Sequence, residues 1–290
     1  MSGPSWQQRA REYLLLMRID RPIGALLLLW PTLWALWLAG EGDPDPFVIG
    51  IFVVGVFVMR SAGCVINDYA DRRIDLHVER TRDRPLAAGR VQPREALVLF
   101  GVLMLIALAL VATLNLLTIQ LAVIGAILAA LYPFMKRYTY LPQVHLGLAF
   151  SWAIPMAYAA QTQAVPPIAW LLLIGNVIWT VAYDTIYAMV DRDDDLQVGV
   201  KSTAILFGEL DRVFVAGMQL TVIVVMTMIA QQISLGVYFA AGLGLAAALF
   251  VYQQWLIRNR DRAGCFKAFL NNNWVGAAIF AGLVAHYLQD

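Results

Sequence analysis

Nine residues, NDYADRRID at 67–75, follow directly on the apolar run PFVIGIFVVGVFVMRSAGCVI. They set Asn67, Asp68, Asp71 and Asp75 where the free carbonyls of a helix C-terminus would already carry partial negative charge and repel anions. Carboxylates gathered there lose stability unless they are protonated or paired with cations. If the helix continues past residue 66, Asn67, Asp71 and Asp75 recur at i, i+4 and i+8 on one face, while Asp68 points elsewhere. A second acidic run, YDTIYAMVDRDDDL at 183–196, puts Asp184, Asp191 and Asp195 on one helical face, with Asp194 and Tyr187 beside it. Hard oxygen donors with no accompanying His or Cys favour Mg²⁺, which takes one or two protein carboxylates and completes its shell with water and substrate phosphate. The plain alternative for one such cluster is a solvated loop with interleaved arginine. Two clusters at matching depth, each with one-face spacing, favour a single carboxylate-lined rim.

Basic residues lie close to both runs. ERTRDRPLAAGR brings Arg80, Arg82, Arg84 and Arg90, and YPFMKR brings Lys136 and Arg137. Arg offers a planar fork and Lys a point charge, a mixture suited to a diphosphate. Taken singly, each is equally a topology anchor.

These residues need a scaffold, and composition defines it. The chain has 290 residues, 60% hydrophobic and 14% charged. Its apolar runs are long enough to cross a hydrocarbon layer of about 30 Å, at roughly 20 residues per crossing. The windows 22–40, 46–66, 95–113, 116–135, 144–160, 166–190, 212–230, 235–256 and 270–288 predict an all-α integral membrane protein of about nine spans, bundled as a single polytopic domain over 1–290. Only the polar segments 67–94 and 191–211 are long connections, and they hold the acidic motifs. The N-terminal MSGPSWQQRAREYLLLMRIDRP is polar, basic and amphipathic, and reads as an interfacial helix with no cleavable signal.

Orientation follows from Lys and Arg, which resist translocation. With nine spans and the N-terminus inside, all 21 basic residues fall on the inner side, Arg60 being counted there. None falls in the outer loops AGEGDPDP, TLNLL, QTQAVPP and QQISLG. The expected site is an active centre facing the cytoplasm, in the inner membrane of a bacterium. Cys64 and Cys265 are too few for a disulfide framework, and His77, His145 and His286 show no ligand spacing. No nucleic-acid partner is expected; protein partners and oligomeric state are silent in the sequence. GLGLAAALF and AGLVAHYL carry small residues suited to close helix packing. Trp30, Trp34 and Trp37 suit either an interfacial belt or packing.

In these residues the chain resembles the intramembrane aromatic prenyltransferases of the UbiA superfamily. The pattern N-D-x-x-D-x-x-x-D is matched by Asn67, Asp68, Asp71 and Asp75, the second motif by Asp191 and Asp195, and a Tyr-x-x-x-Lys element by Tyr132 and Lys136. Asp184 with Tyr187, Ala188 and Asp191, then DDD and KSTAILFG, looks like the branch that prenylates 4-hydroxybenzoate. The resemblance implies a helical bundle around a central cavity open sideways to lipid, with both motifs holding Mg²⁺ and the diphosphate of a polyprenyl donor. It also implies transfer to the ring carbon ortho to the hydroxyl of 4-hydroxybenzoate, in ubiquinone biosynthesis. On that basis the metal set is Asn67, Asp68, Asp71, Asp75, Asp184, Asp191, Asp194 and Asp195, with Arg72, Lys136 and Arg137 on the diphosphate. Asp71, Asp75 and Asp191 are alternatives for the group that takes the ring proton. Arg18 or Arg21, at the inner mouth of the first span, would meet the acceptor's carboxylate, Arg21 being equally a simple interfacial anchor. Tyr132, Asn176 and Tyr183 would line the cavity, the last two being equally suited to hydrogen bonds between helices.

Other acceptors of the superfamily, a dihydroxynaphthoate, haem or a lipid alcohol, stay open, as does prenyl chain length. A cation-coupled transporter also places acids in a helical bundle, but near the bilayer midplane on broken helices rather than at span ends beside arginine-rich loops.

Overall fold

The computed structural model describes residues 5–73, 75–77 and 81–289; Arg80 and the side chain of His77 lie outside the described residues. The helices in chain order are α1 Trp6–Leu16, α2 Ile23–Ala39, α3 Pro46–Asp71, α4 Pro93–Val111, α5 Leu116–Met135, α6 Pro142–Ser151, α7 Ala153–Thr162, α8 Pro167–Val198, α9 Thr203–Phe207, α10 Asp211–Gln232, α11 Val237–Leu256 and α12 Arg262–Tyr287. No strand occurs among the described residues. Among the described residues, seven helical stretches are long and apolar enough to cross a membrane, and α2 is a shorter apolar helix.

Local chemistry sets the ends. Proline opens α3, α4, α6 and α8, where its missing N–H costs nothing. Asp45, Asn115 and Asp261 cap α3, α5 and α12 by accepting from Phe47 N (2.8 Å), Thr118 N (3.0 Å) and Gly264 N (2.7 Å). Gly199, at φ +75°, ends α8.

Three features depart from the simple windows. The window 144–160 holds two helices broken at Trp152, because Pro155 has no N–H for the Ser151 carbonyl and its ring crowds it. The Trp152 indole then donates to the Leu121 carbonyl on α5 at 2.8 Å. α3 and α8 run on to Asp71 and Val198, well past residues 66 and 190. α12 begins at Arg262 rather than near 270.

The long α8 packs among α2, α6, α10 and α12. Trp34 stacks on Trp179 with ring centroids 5.2 Å apart, and the Trp179 indole donates to Asn272 Oδ1 at 2.9 Å. Trp30 donates to Asn273 Oδ1 (2.9 Å) and Trp37 meets Phe280 edge-on (5.0 Å). All three tryptophans are therefore packing residues, each spending its area inside the bundle. Gly242 and Gly282 let α11 and α12 touch: a Cβ on Gly242 would lie 2.6 Å from the Ala278 carbonyl oxygen. Outward faces carry exposed Val98, Leu105, Val213, Leu220 and Val251, a surface suited to lipid. α1 lies across the C-terminal end of α3 and the N-terminal end of α4, where Arg9 and Tyr13 both bond Glu95, the tyrosine at 2.9 Å, and Arg90 bonds Glu12 at 2.9 Å.

Candidate active site

A cavity of about 940 Å³ runs through the bundle. One end is lined by Asn67, Asp68, Asp71, Asp75, Asp191 and Asp195, and the other by apolar side chains such as Leu108, Val111, Ile119, Val123 and Met156. The two acidic motifs, 109 or more residues apart in the chain by their numbering, thus meet on one wall system.

The first motif is laid out differently from a continuous helix. Asn67 and Asp71 share a face of α3, but Asp75 sits in a short 3₁₀ turn, Asp75–His77, beyond the helix end. Asp68 does not point away. It is 1% exposed, lines the cavity, and is bonded by Arg18 Nη2 (2.9 Å) and Arg84 Nη1 (3.0 Å). The same Arg84 nitrogen reaches Asp75 Oδ2 at 2.9 Å, so one guanidinium joins Asp68 to Asp75. Burial pushes the Arg18 guanidinium below its ordinary value, against the opposing pull of Asp68. Lys136, at the end of α5, pairs with Asp71 Oδ2, whereas Asp71 Oδ1 is buried without a hydrogen-bond partner among the described residues.

The end of α3 also answers the electrostatic question its sequence poses. Arg72 donates to the Tyr69 carbonyl and Arg137 to the Ala70 carbonyl, both at 2.6 Å. These arginines neutralise the helix terminus. Neither lines the cavity, so their expected place on a diphosphate gives way to a capping role.

In the second motif, Asp184, Asp191 and Asp195 line the cavity from one face of α8. Asp194 does not: it faces α12 and pairs with Arg262 at 3.0 Å, as a position one residue off the common face must. Tyr187 lines the cavity and packs on Phe269 with centroids 4.6 Å apart. Arg192 is drawn away from its acidic neighbours by the fully buried Asp211 (3.4 Å), which Arg260 also holds at 2.9 Å. Lys201, whose amide donates to the Lys136 carbonyl at 3.3 Å, adds a further cation to the lining.

Of the expected cavity residues, Tyr132 and Tyr183 line it and Asn176 does not. Asn176 donates instead to Ser151 Oγ at 2.8 Å, holding α8 to α6. Arg21 lines the cavity mouth, largely exposed and 3.4 Å from Asp20. The cavity residue that sequence reasoning missed is Arg60. It is not at the end of the span but within α3, lining the cavity, 5.9 Å from the centre of the Phe150 ring, and in no hydrogen bond or ion pair among the described residues. Gly24 gives it room, since any Cβ there would collide with the guanidinium. The signal was present: residues 60, 64, 67 and 71 share one helical face.

Hard oxygen donors, a buried orphan carboxylate oxygen at Asp71 and flanking cations fit a Mg²⁺-diphosphate group. Among the described residues, however, no three His, Cys, Asp or Glu side chains are gathered tightly enough to hold a metal.

Comparison with known proteins agrees with this architecture. Residues 28–277 match the UbiA prenyltransferase family, and the chain belongs to that family. It is 59% identical over 284 residues to the 4-hydroxybenzoate octaprenyltransferase of Methylococcus capsulatus, covering 98% of this chain and 97% of the relative. It is 60% identical over 282 residues to the enzyme of that name from Aeromonas hydrophila, covering 97% and 98%. Among solved structures, the apo form of a UbiA homologue from Aeropyrum pernix K1 superposes with a TM-score of 0.80 at 24% identity, over 92% of this chain and 98% of that one. A UbiA homologue from Archaeoglobus fulgidus bound to GPP and Mg²⁺ gives 0.76 at 17% identity, over 96% and 100%. At such identities these two speak for the fold.

Proposed function

We propose that this protein transfers a polyprenyl group from polyprenyl diphosphate to the ring carbon ortho to the hydroxyl of 4-hydroxybenzoate, releasing diphosphate, as a step of ubiquinone biosynthesis. The observation that carries the reading is one cavity with carboxylates and cations at one end and an apolar chamber at the other. An isoprenoid diphosphate is amphipathic along the same axis, and its tail is far more soluble in hydrocarbon than in water. The names of the full-length relatives support the acceptor.

Asn67, Asp71 and Asp75 with Asp191 and Asp195 would hold Mg²⁺, and Asp184 lies deeper on the same wall. When bound, the ion supplies Lewis-acid neutralisation of the leaving group. Lys136, Arg84 and Lys201 donate to diphosphate oxygens, and preorganised donors of this kind are worth most as negative charge grows. The allylic C–O bond breaks and the electron pair leaves with the diphosphate. Tyr132 and Tyr183 offer ring faces to the allylic cation. The ortho carbon of the acceptor supplies the electron pair of the new C–C bond. A carboxylate at the polar end, Asp71, Asp75 or Asp191, takes the ring proton, and aromaticity returns. Arg60, a half-buried cation with no hydrogen bond or ion pair among the described residues and with Asp184 as a nearby acid, receives the acceptor's carboxylate. The two classes of cation thereby divide the substrates between them.

The polar end faces the cytoplasm of a bacterial inner membrane, following the segregation of Lys and Arg. The test is mass spectrometry of products formed by membranes given Mg²⁺, mixed polyprenyl diphosphates and a panel of acceptors. Prenylated 4-hydroxybenzoate is expected; a product confined to dihydroxynaphthoate, haem or a lipid alcohol would overturn the reading.

A further inference from the structure

The first acidic motif carries its own counter-ions, seated on the oxygens a divalent cation would use. Asp68, Asp71 and Asp75 are 1%, 1% and 5% exposed. Arg18, Arg84 and Lys136 bond to them, so among the described residues three carboxylates meet three cations. A metal ion arriving alone must expel a buried, hydrogen-bonded cation and leave it unpaired, a strongly unfavourable exchange. A diphosphate changes the balance, because its oxygens can accept the N–H groups that the carboxylates give up.

We infer that Arg84 is an exchangeable counter-ion coupling metal binding to donor binding: it bridges Asp68 and Asp75 until a diphosphate arrives, then moves its hydrogen bonds to the diphosphate and frees Asp75 for the metal beside Asp71. The inference rests on the metal-diphosphate reading above and adds the order in which the site assembles. Arg84 suits the role because its backbone is held independently of its side chain. The loop is pinned by Thr81 Oγ1 on the Asp75 carbonyl (3.0 Å), by Arg90 on Glu12 (2.9 Å) and on the Asp83 carbonyl (2.8 Å), and by buried Leu86 and Val91. The guanidinium can therefore shift by rotamer changes alone. Arg18 differs: it grips both oxygens of Asp68, at 3.0 and 2.9 Å, from a left-handed turn at φ +58°. Asp68 then keeps a partner throughout and acts as a positioning residue, anchoring the arginine that moves.

The experiment is Mn²⁺ binding to the full-length protein in lipid nanodiscs, read by electron paramagnetic resonance of free Mn²⁺, with and without inorganic pyrophosphate. Complexation of Mn²⁺ by free pyrophosphate is measured separately and subtracted. Native protein is expected to bind Mn²⁺ at least tenfold more tightly with pyrophosphate. Arg84→Gln is expected to bind Mn²⁺ alone at least tenfold more tightly than native, with the pyrophosphate gain reduced to threefold or less. Arg258→Gln, which removes a charge off the cavity, should match native and so separates Arg84 from net charge. Should Arg84→Gln not fold, Arg84→Lys, which keeps the charge but lacks the planar fork that bridges Asp68 and Asp75, is expected to reduce the pyrophosphate gain at least threefold, and an unchanged gain overturns the exchange. Equal Mn²⁺ affinity with and without pyrophosphate, or an Arg84→Gln variant indistinguishable from native, overturns the exchange and leaves the function standing. No Mn²⁺ bound even with pyrophosphate overturns the metal-diphosphate reading as well.

Discussion

Arg60→Gln isolates the acceptor. The guanidinium lines the cavity within α3 and has no hydrogen bond or ion pair among the described residues, Asp184 acting on it only through space, so its donors are open to a ligand anion. Glutamine keeps length and some hydrogen bonding while removing the charge. A hydrogen bond to a charged group contributes about 1.5–3 kcal/mol, and the acceptor carboxylate would be left in a poorly solvated chamber, which places the loss toward the upper part of that range. At about 1.4 kcal/mol per decade, the KM for 4-hydroxybenzoate should rise roughly 30- to 150-fold. Donor KM should stay within threefold, because the diphosphate cations lie at the cavity's polar end. The assay is initial-rate prenylation in nanodiscs with each substrate varied in turn, repeated with 4-hydroxybenzamide, the neutral isostere. Native enzyme should discriminate strongly against the amide, and the variant should lose most of that discrimination. Unchanged discrimination, or a defect confined to donor KM, would falsify the assignment of Arg60.

Asp71→Asn and Asp191→Asn should each abolish most turnover while the protein remains monodisperse in detergent, whereas Asp194→Asn, paired with Arg262 off the cavity, should retain turnover within about threefold, a surface pair being worth little; single-turnover product formation checks all three, and near-native rates for either of the first two refute a shared site. A donor fluorinated near the allylic carbon should bind yet react at least about tenfold more slowly, roughly 1.4 kcal/mol of barrier, because departure of the diphosphate runs ahead of ring attack; equal single-turnover rates exclude the cationic route. A reporter fused after Asp290 should be active in the periplasm of a bacterial host, and a cytoplasmic signal would exclude an odd number of crossings.

Much of the fold was legible because lipid imposes a simple length rule. Every expected window lies on a helix, with 144–160 on a pair. The break at Trp152 was foreseeable from Pro155, but the indole that receives the bend comes from no local pattern. The second acidic face was legible from helical spacing, and α8 continues far enough to make that spacing real; on α3 the spacing held only for Asn67 and Asp71, since Asp75 lies beyond the helix end. Long-range pairing was not. Nothing local assigns Arg84 to both Asp68 and Asp75, or turns Arg72 and Arg137 onto carbonyls of α3. Arg60 was missed for a different reason: counting positive charges by topology treats an arginine inside a span as part of the nearest loop. Its shared face with Asn67 and Asp71 held the better information.

The length of α8 has a mechanical implication. Its 32 residues span about 48 Å at 1.5 Å per residue, while the hydrocarbon layer is about 30 Å thick. Measured from its proline end, Asp184 lies about 26 Å along this rod and Asp191 about 36 Å. With the proline end set at one face of the hydrocarbon layer and the helix crossing it upright, the opposite boundary would fall between the two carboxylates, close to where the proposed C–O cleavage takes place. One long helix would then register the proposed reaction against the bilayer surface. Host membranes of different thickness become a variable in turnover, because a thicker layer would draw Asp191 into hydrocarbon and a thinner one would lift the allylic carbon toward water.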